Sequence, residues 1–215
     1  MSVAERKERE KEQRRSDIIS AAERLFFSRQ FDDVSMDDIA NAVELSRATL
    51  YLYFKDKESI YFAVLLRGIR IMSEIFKEST DRETTGLGKI SAIGFTFIRF
   101  STEYSGYYRL IHYAASQRFE ESYNEYAEEV KVASSGLLDI MCDSIKKGME
   151  DGTIKNDLDP YQTAIFLMKC TENALDLSAE MKRKLEQHGI NPIEYMEHSM
   201  KLMGYAILNN TNNQV

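Results

Sequence analysis

Proline and cysteine occur only twice each among 215 residues, histidine three times and tryptophan never, while glycine supplies just ten positions. With so little to interrupt them, stretches rich in Glu, Lys, Leu, Met and Ala make helix the least costly backbone solution, and the sequence predicts an all-α protein. Cys142 and Cys170 lie far apart in apolar stretches, which excludes a disulfide framework and a CxxC metal or redox pair and points to a reducing compartment. No apolar run reaches the length that spans a bilayer, and residues 1–15 alternate Arg, Lys and Glu where a leader would be apolar, so a cytoplasmic location is expected. Basic charge is also short: 28 Lys and Arg stand against 35 Asp and Glu, a formal net charge of -7. That balance excludes coating nucleic acid by charge alone and leaves specific binding by a small element open. With 43% hydrophobic residues the chain can bury a sizeable core as one or two domains.

What is present is helical periodicity. Over residues 5–29, Ile18, Ala22 and Leu25 share a face with Ile19 and Phe26 beside it. Ser35 stands as N-cap with Asp38 at the third helical position, an imitation of a capping box that starts a second, short helix. Ser46 caps a third over 47–53, and a fourth is expected over 56–79, apolar nearly all round and so touched from several sides. Gly86 and Gly88 mark 81–88 as a loop. Helices are then expected over 87–104, 106–116 and 119–150, the last stopped by Asp151-Gly152. Asp159-Pro160 and Asn191-Pro192 each set a capping residue before a proline, so both prolines start helices, predicted as two long ones over 160–188 and 192–209.

Residues 35–54 read as a helix, a three-residue turn and a second helix, interlocked by Ile39, Ala40, Val43, Leu45, Leu50 and Phe54. In that arrangement the second helix projects side chains into the major groove. Its candidates are Arg47, suited to a bidentate pair with guanine, Ala48 to a thymine methyl, and Thr49 to base edges or phosphate. Tyr51, Tyr53 and Lys57 suit phosphate oxygens. Packing of the small domain is the competing role for the tyrosines, and a solvated charge for Arg47. The basic residues 6–15 could track phosphate, but Glu5, Glu8, Glu10 and Glu12 interleave with them and read more readily as a solvated helix face.

The strings IISAAERLF (18–26), VSMDDIANAV (34–43) and LSRATLYLYFKDKE (45–58) resemble the tetracycline repressor (TetR) family of one-component regulators, over residues 15–60. The resemblance implies a three-helix helix-turn-helix DNA-binding domain over 1–55 and a helical ligand-binding and dimerisation domain over 56–215. It implies DNA-facing positions at Ser35, Met36, Ser46, Arg47, Ala48, Thr49, Tyr51, Tyr53 and Lys57. The family pattern often has Gly where this chain has Glu44, and a left-handed backbone is costlier for Glu. An acid there would also repel phosphate.

Farther along, Phe95, Phe100, Tyr104, Tyr108 and His112 crowd a short stretch and, with Met141, Phe166, Cys170 and Asn173, could line an apolar pocket with a few polar handles. Filling of the helical core is the competing role. His112 has no second His or Cys at helical spacing, so no metal and no cofactor is expected. Ile193, Met196, Met200, Met203 and Ile207 form a seam at three- and four-residue spacing, and Tyr161, Ile165 and Met168 line one side of the preceding long helix. These are the expected dimer contacts, the resemblance implying two helices from each subunit.

Enzyme chemistry is not found: 84–90 lacks the first glycine of a phosphate loop, 194–198 departs from HExxH, and no GxSxG occurs. The expected function is a ligand-responsive DNA-binding transcriptional regulator, a homodimeric repressor released from a palindromic operator by a small apolar or aromatic effector. The alternative is a helical small-molecule-binding protein or enzyme without DNA-binding activity.

Overall fold

The computed structural model describes residues 2–115 and 124–209. Among them the elements are α1 (Val3–Ser28), a 3-10 turn (Phe31–Asp33), α2 (Met36–Ala42), α3 (Arg47–Tyr51), α4 (Lys57–Asp81), α5 (Gly86–Glu103), α6 (Ser105–Ala114), α7 (Glu125–Glu150), α8 (Pro160–Leu175), α9 (Ala179–Gln187) and α10 (Pro192–Ile207). The all-α expectation therefore holds, and among the described residues no helix is long and apolar enough to cross a membrane.

Two of the expected boundaries change. The single helix predicted over 160–188 is two, because Asp176 ends α8 and the Ser178 hydroxyl accepts from the Met181 amide to start α9. Gly86 and Gly88 lie inside the first turn of α5, where the Asp151 carboxylate accepts from the Gly86 amide and Thr153 Oγ1 from the Leu87 amide. Side chains from elsewhere in the chain thus add to the local cap, in which Thr85 Oγ1 accepts from the Gly88 amide at 3.1 Å. The expected helix start at residue 119 and the end at 116 lie outside the described residues.

The chain forms two compact units, Met1–Ile71 with Tyr104–Ser134, and Met72–Glu103 with Ser135–Val215. The expected boundary at residue 55 falls inside the first. That unit is built on the faces of α1, α2, α3 and the start of α4 that the periodicity exposed: Ile18, Ala22, Phe26, Ile39, Leu50, Phe54, Ile60 and Val64 are buried. Each fully buried aliphatic side chain stabilises by roughly 1.5–3 kcal/mol relative to exposure. Tyr61 centres an aromatic cluster, its ring edge-on to Phe26 at 5.3 Å and to Phe31 at 5.1 Å, its hydroxyl donating to the Leu110 carbonyl at 2.8 Å. Burial and the neighbouring Tyr113 push that phenol far above its ordinary range, so it stays a donor. α6 is joined to α1 through Glu23, which accepts from Arg67 at 2.8 Å and from the Tyr107 hydroxyl at 2.6 Å.

The second unit packs α10 on α8 and α5 around Ile93, Phe100, Met141, Ile145, Leu167, Met196, Met203 and Ile207. The end of α10 is tied down by backbone bonds from Lys155 to the Ile207 carbonyl and from Asn209 to the Thr153 carbonyl.

Candidate nucleic-acid interface

Local chemistry fixes the helix-turn-helix. Ser35 accepts from the Asp38 amide at 3.1 Å while Asp38 accepts from the Ser35 amide at 2.8 Å, the predicted capping box of α2. The Ser35 hydroxyl and amide, with Arg29 adding to them, hold the Asp38 carboxylate below its usual range. The cap is thus complete at neutral pH and weakens as pH falls through that depressed range. α2 ends in a left-handed residue: Glu44 has φ 55°, with the Glu44 amide donating to the Asn41 carbonyl and the Leu45 amide to that of Ala40. This is the paired-bond helix stop that glycine usually closes, and Glu44 is the one non-glycine residue with positive φ among those described. Ser46 then caps α3, accepting from the Thr49 amide at 3.1 Å.

α3 is held by Leu50, which is fully buried, and by Phe54 just beyond it. Outward from that anchor stand Arg47, Ala48 and Tyr51, all exposed as expected. Arg47 is not free in solution, since its guanidinium pairs with Asp37 of α2 at 3.1 Å and stacks 5.7 Å from the Tyr51 ring centre. Tyr51 is therefore a platform for Arg47 instead of a core residue. Ser46 and Thr49 face one another, their hydroxyl oxygens 2.8 Å apart, and Thr49 and Tyr53 are half-buried.

Two positions depart from the expected set. Met36 is 8% exposed, so its side chain serves the core and only Ser35 reaches the surface at the start of α2. The Lys57 ammonium donates to the Phe31 and Val34 carbonyls, both at 2.7 Å, and lies 4.1 Å from the Phe31 ring centre. It closes the chain that enters α2, a task set by residues distant in sequence and hence unreadable from spacing. Two positions join the surface without having been expected there: Leu52, 79% exposed at the end of α3, and Lys55, an exposed cation beside it. An apolar side chain left so open beside a reading helix is the signal that periodicity alone could have given.

The expected pocket residues divide. Tyr104 and Tyr108 are half-buried and His112 exposed in the first unit, where the Tyr108 and His112 rings lie 6.4 Å apart. In the second, Phe100 and Met141 are buried and Cys170 half-buried, whereas Phe95 is 59% and Phe166 50% exposed and Asn173 is exposed. Phe95, Phe166 and Asn173 thus lie on outer faces of α5 and α8, away from an enclosed wall. The seam of α10 is also reassigned. Met196, Met203 and Ile207 are buried against their own unit, Thr171 Oγ1 lying 3.7 Å from Met203 Sδ, and Met200 lies so close to Gly94 that a Cβ there would meet its methyl at 2.2 Å. Apolar residues instead remain on the outer faces: Tyr161 and Phe166 of α8, Ile193, Leu202 and Tyr205 of α10, with Ile165 and Met168 half-buried.

Residues 18–64 match the family described as bacterial regulatory proteins, tetR family. The HTH-type transcriptional activator FasR of Mycolicibacterium smegmatis is 29% identical over 140 residues, 64% of this chain and 61% of its own. The chain thus spans about three fifths of that relative, and it aligns with 24% of the regulator EthR from the same organism at 35% identity. Among solved structures, AibR in complex with isovaleryl coenzyme A and operator DNA shares the fold at TM-score 0.66 and 17% identity, over 88% of this chain and 97% of its own. FadR from Bacillus subtilis in complex with stearoyl-CoA does so at 0.64 and 18%, over 87% and 96%. The capping box, left-handed turn and outward recognition helix all lie in the matched segment, so residues 18–64 are what this chain has in common with the tetR family of bacterial regulatory proteins.

Proposed function

We propose that this protein is a transcriptional repressor that binds double-stranded operator DNA as a homodimer and releases it when a small apolar or aromatic molecule binds its helical domain. The observation that carries the reading is α3, anchored through Leu50 with Arg47, Ala48, Tyr51 and Leu52 directed outward. A helix that buries one side chain and exposes a guanidinium, a methyl, a phenol ring and an isobutyl group has the donor and apolar contacts that base edges in the major groove recognise. To read guanine, Arg47 exchanges its Asp37 partner for the O6 and N7 acceptors, so Asp37 acts as an intramolecular competitor. Ser35 and Lys55 sit where phosphate oxygens would flank such a helix.

Dimerisation rests on the outer faces of α8 and α10. Tyr161, Phe166, Leu202 and Tyr205 give two neighbouring helices of one unit a surface that suits a two-fold, self-complementary interface. Two recognition helices related by that axis call for a palindromic site with half-sites one or more helical turns apart. The effector reading is supported by the two structural neighbours that hold acyl-CoA ligands. Coupling of this kind is typically about 1 to 3 kcal/mol, roughly 5- to 150-fold, and by linkage operator DNA weakens effector binding by the same factor.

Selection of bound duplexes from a random pool tests this directly. The expected product is an inverted repeat, and Arg47→Ala should relax preference at one base pair of each half-site by about 1 to 3 kcal/mol. A folded chain that enriches no sequence would leave the small-molecule-binding protein without DNA activity as the surviving alternative.

A further inference from the structure

α1 is longer than the core it serves. Its C-terminal half buries Ile18, turns Leu25 inward and ends at Arg29, which reaches α2 through Asp38 at 3.3 Å. Followed toward the N-terminus at the same three- and four-residue steps, that stripe continues as Arg14, Lys11 and Lys7. All three are exposed, and none is held in an ion pair or side-chain hydrogen bond among the described residues. Of the other cations nearby, Arg6 pairs with Glu10 at 2.9 Å, Arg15 donates to the Tyr126 hydroxyl at 2.6 Å, and Arg9 falls on the opposite face of the helix. Glu5 closes the capping box at Ser2, Glu10 is paired with Arg6, and Glu8 and Glu12 lie to one side of the line through Lys7, Lys11 and Arg14, Glu8 three residues from Lys11. The three cations therefore share one line along the helix, with Glu8 and Glu10 flanking it.

The stripe also has a fixed place relative to the reading helix. Arg15 lies 5.1 Å from the centre of the Phe54 ring, three residues past the end of α3, and all of these residues belong to the first unit. We propose that Arg14, Lys11 and Lys7 form a phosphate-tracking edge that engages the duplex backbone beside the groove entered by α3. This deepens the DNA-binding reading and rests on it. Successive cations rise about 4.5 to 6 Å along the helix, roughly one to two phosphates of one strand. With Glu10 held by Arg6 and Glu12 turned aside, the line itself carries only cations on a chain whose net charge is -7.

The test moves charge without changing its amount. In the full-length chain, Lys7→Glu with Glu8→Lys and Lys11→Glu with Glu12→Lys keep net charge and use two strong helix formers, but rotate the cations off the edge. Binding of a mixed-sequence 30-bp duplex and of the duplex selected from the random pool is measured across salt concentrations. The expected result is a salt slope shallower by about 0.9 for each phosphate no longer neutralised, and affinity lower by roughly fivefold per phosphate near 0.15 M salt. Lys7→Gln, Lys11→Gln and Arg14→Gln together should reproduce the loss with an unchanged helical melt. A charge-swapped chain that keeps the wild-type slope overturns the edge while leaving α3 as the DNA reader. A wild-type chain that binds neither duplex overturns both.

Discussion

The two units are held together by different chemistry. In the first, long polar side chains reach across sequence to fixed acceptors: Lys57 to two carbonyls, Arg67 and Tyr107 to Glu23, Arg15 to Tyr126. In the second, backbones approach directly: a Cβ on Gly86 would lie 1.9 Å from the Gly148 amide nitrogen and 2.5 Å from the Ser144 carbonyl oxygen. A side chain that donates hydrogen bonds can be shortened at moderate cost, whereas a helix pair in backbone contact has no room to give. The first unit should lose stability in small steps and the second in large ones.

The largest step comes from telling the inner and outer faces of α10 apart. Met203→Glu would bury an unpaired carboxylate and should cost about 3 to 5 kcal/mol, seen as loss of cooperative thermal unfolding. Tyr205→Glu, two residues on and facing outward, should leave the chain folded and convert dimer to monomer in sedimentation. A folded Met203→Glu monomer would restore the inner stripe as the subunit contact. Next, Gly86→Ala should destabilise by roughly 2 to 4 kcal/mol in urea, because the atoms it meets belong to backbone. A loss under about 1 kcal/mol would mean that the two helices separate easily and that the contrast between units is weaker than drawn. In the first unit, Lys57→Met should cost about 1 to 2 kcal/mol through two unpaired carbonyls, with the salt slope of DNA binding unchanged. A slope reduced by about one phosphate's worth with stability intact would return Lys57 to the phosphate backbone.

The same contrast decides what was legible in sequence. Capping is local, so Ser35 with Asp38, Ser46, Asp159-Pro160 and Asn191-Pro192 all start helices as their spacing predicts. The helix-turn-helix is a run of such local signals, and its turn even announces the left-handed Glu44. Periodicity shows that α10 has an apolar stripe but not whose surface covers it; the same spacing serves an internal contact and a subunit seam. Lys57, Arg15 and Gly86 are opaque for one reason: their partners lie 23 to 26, 111 and about 60 residues away, where no spacing rule reaches. The charge run of α1 alternates along the chain, yet Lys7, Lys11 and Arg14 fall on one line of the helix.

The smallest effect isolates backbone from charge within the turn itself. Glu44 closes α2 with φ 55°, a conformation costing a residue with a Cβ about 1 to 2 kcal/mol. Glu44→Gly removes that cost, and the greater freedom of glycine in the unfolded chain returns roughly half of it. The net gain should be at most about 1 kcal/mol, a rise of about 2 to 4 °C in Tm for a chain of this size. Glu44→Gln keeps the Cβ and so the strain, but discards the acid that stands next to the residues facing DNA. Both variants should bind operator more tightly at low salt, because each removes a repulsion that screening weakens. Only the glycine variant should melt higher. If Glu44→Gln gains as much stability as Glu44→Gly, the turn is limited by charge and its left-handed residue carries no strain.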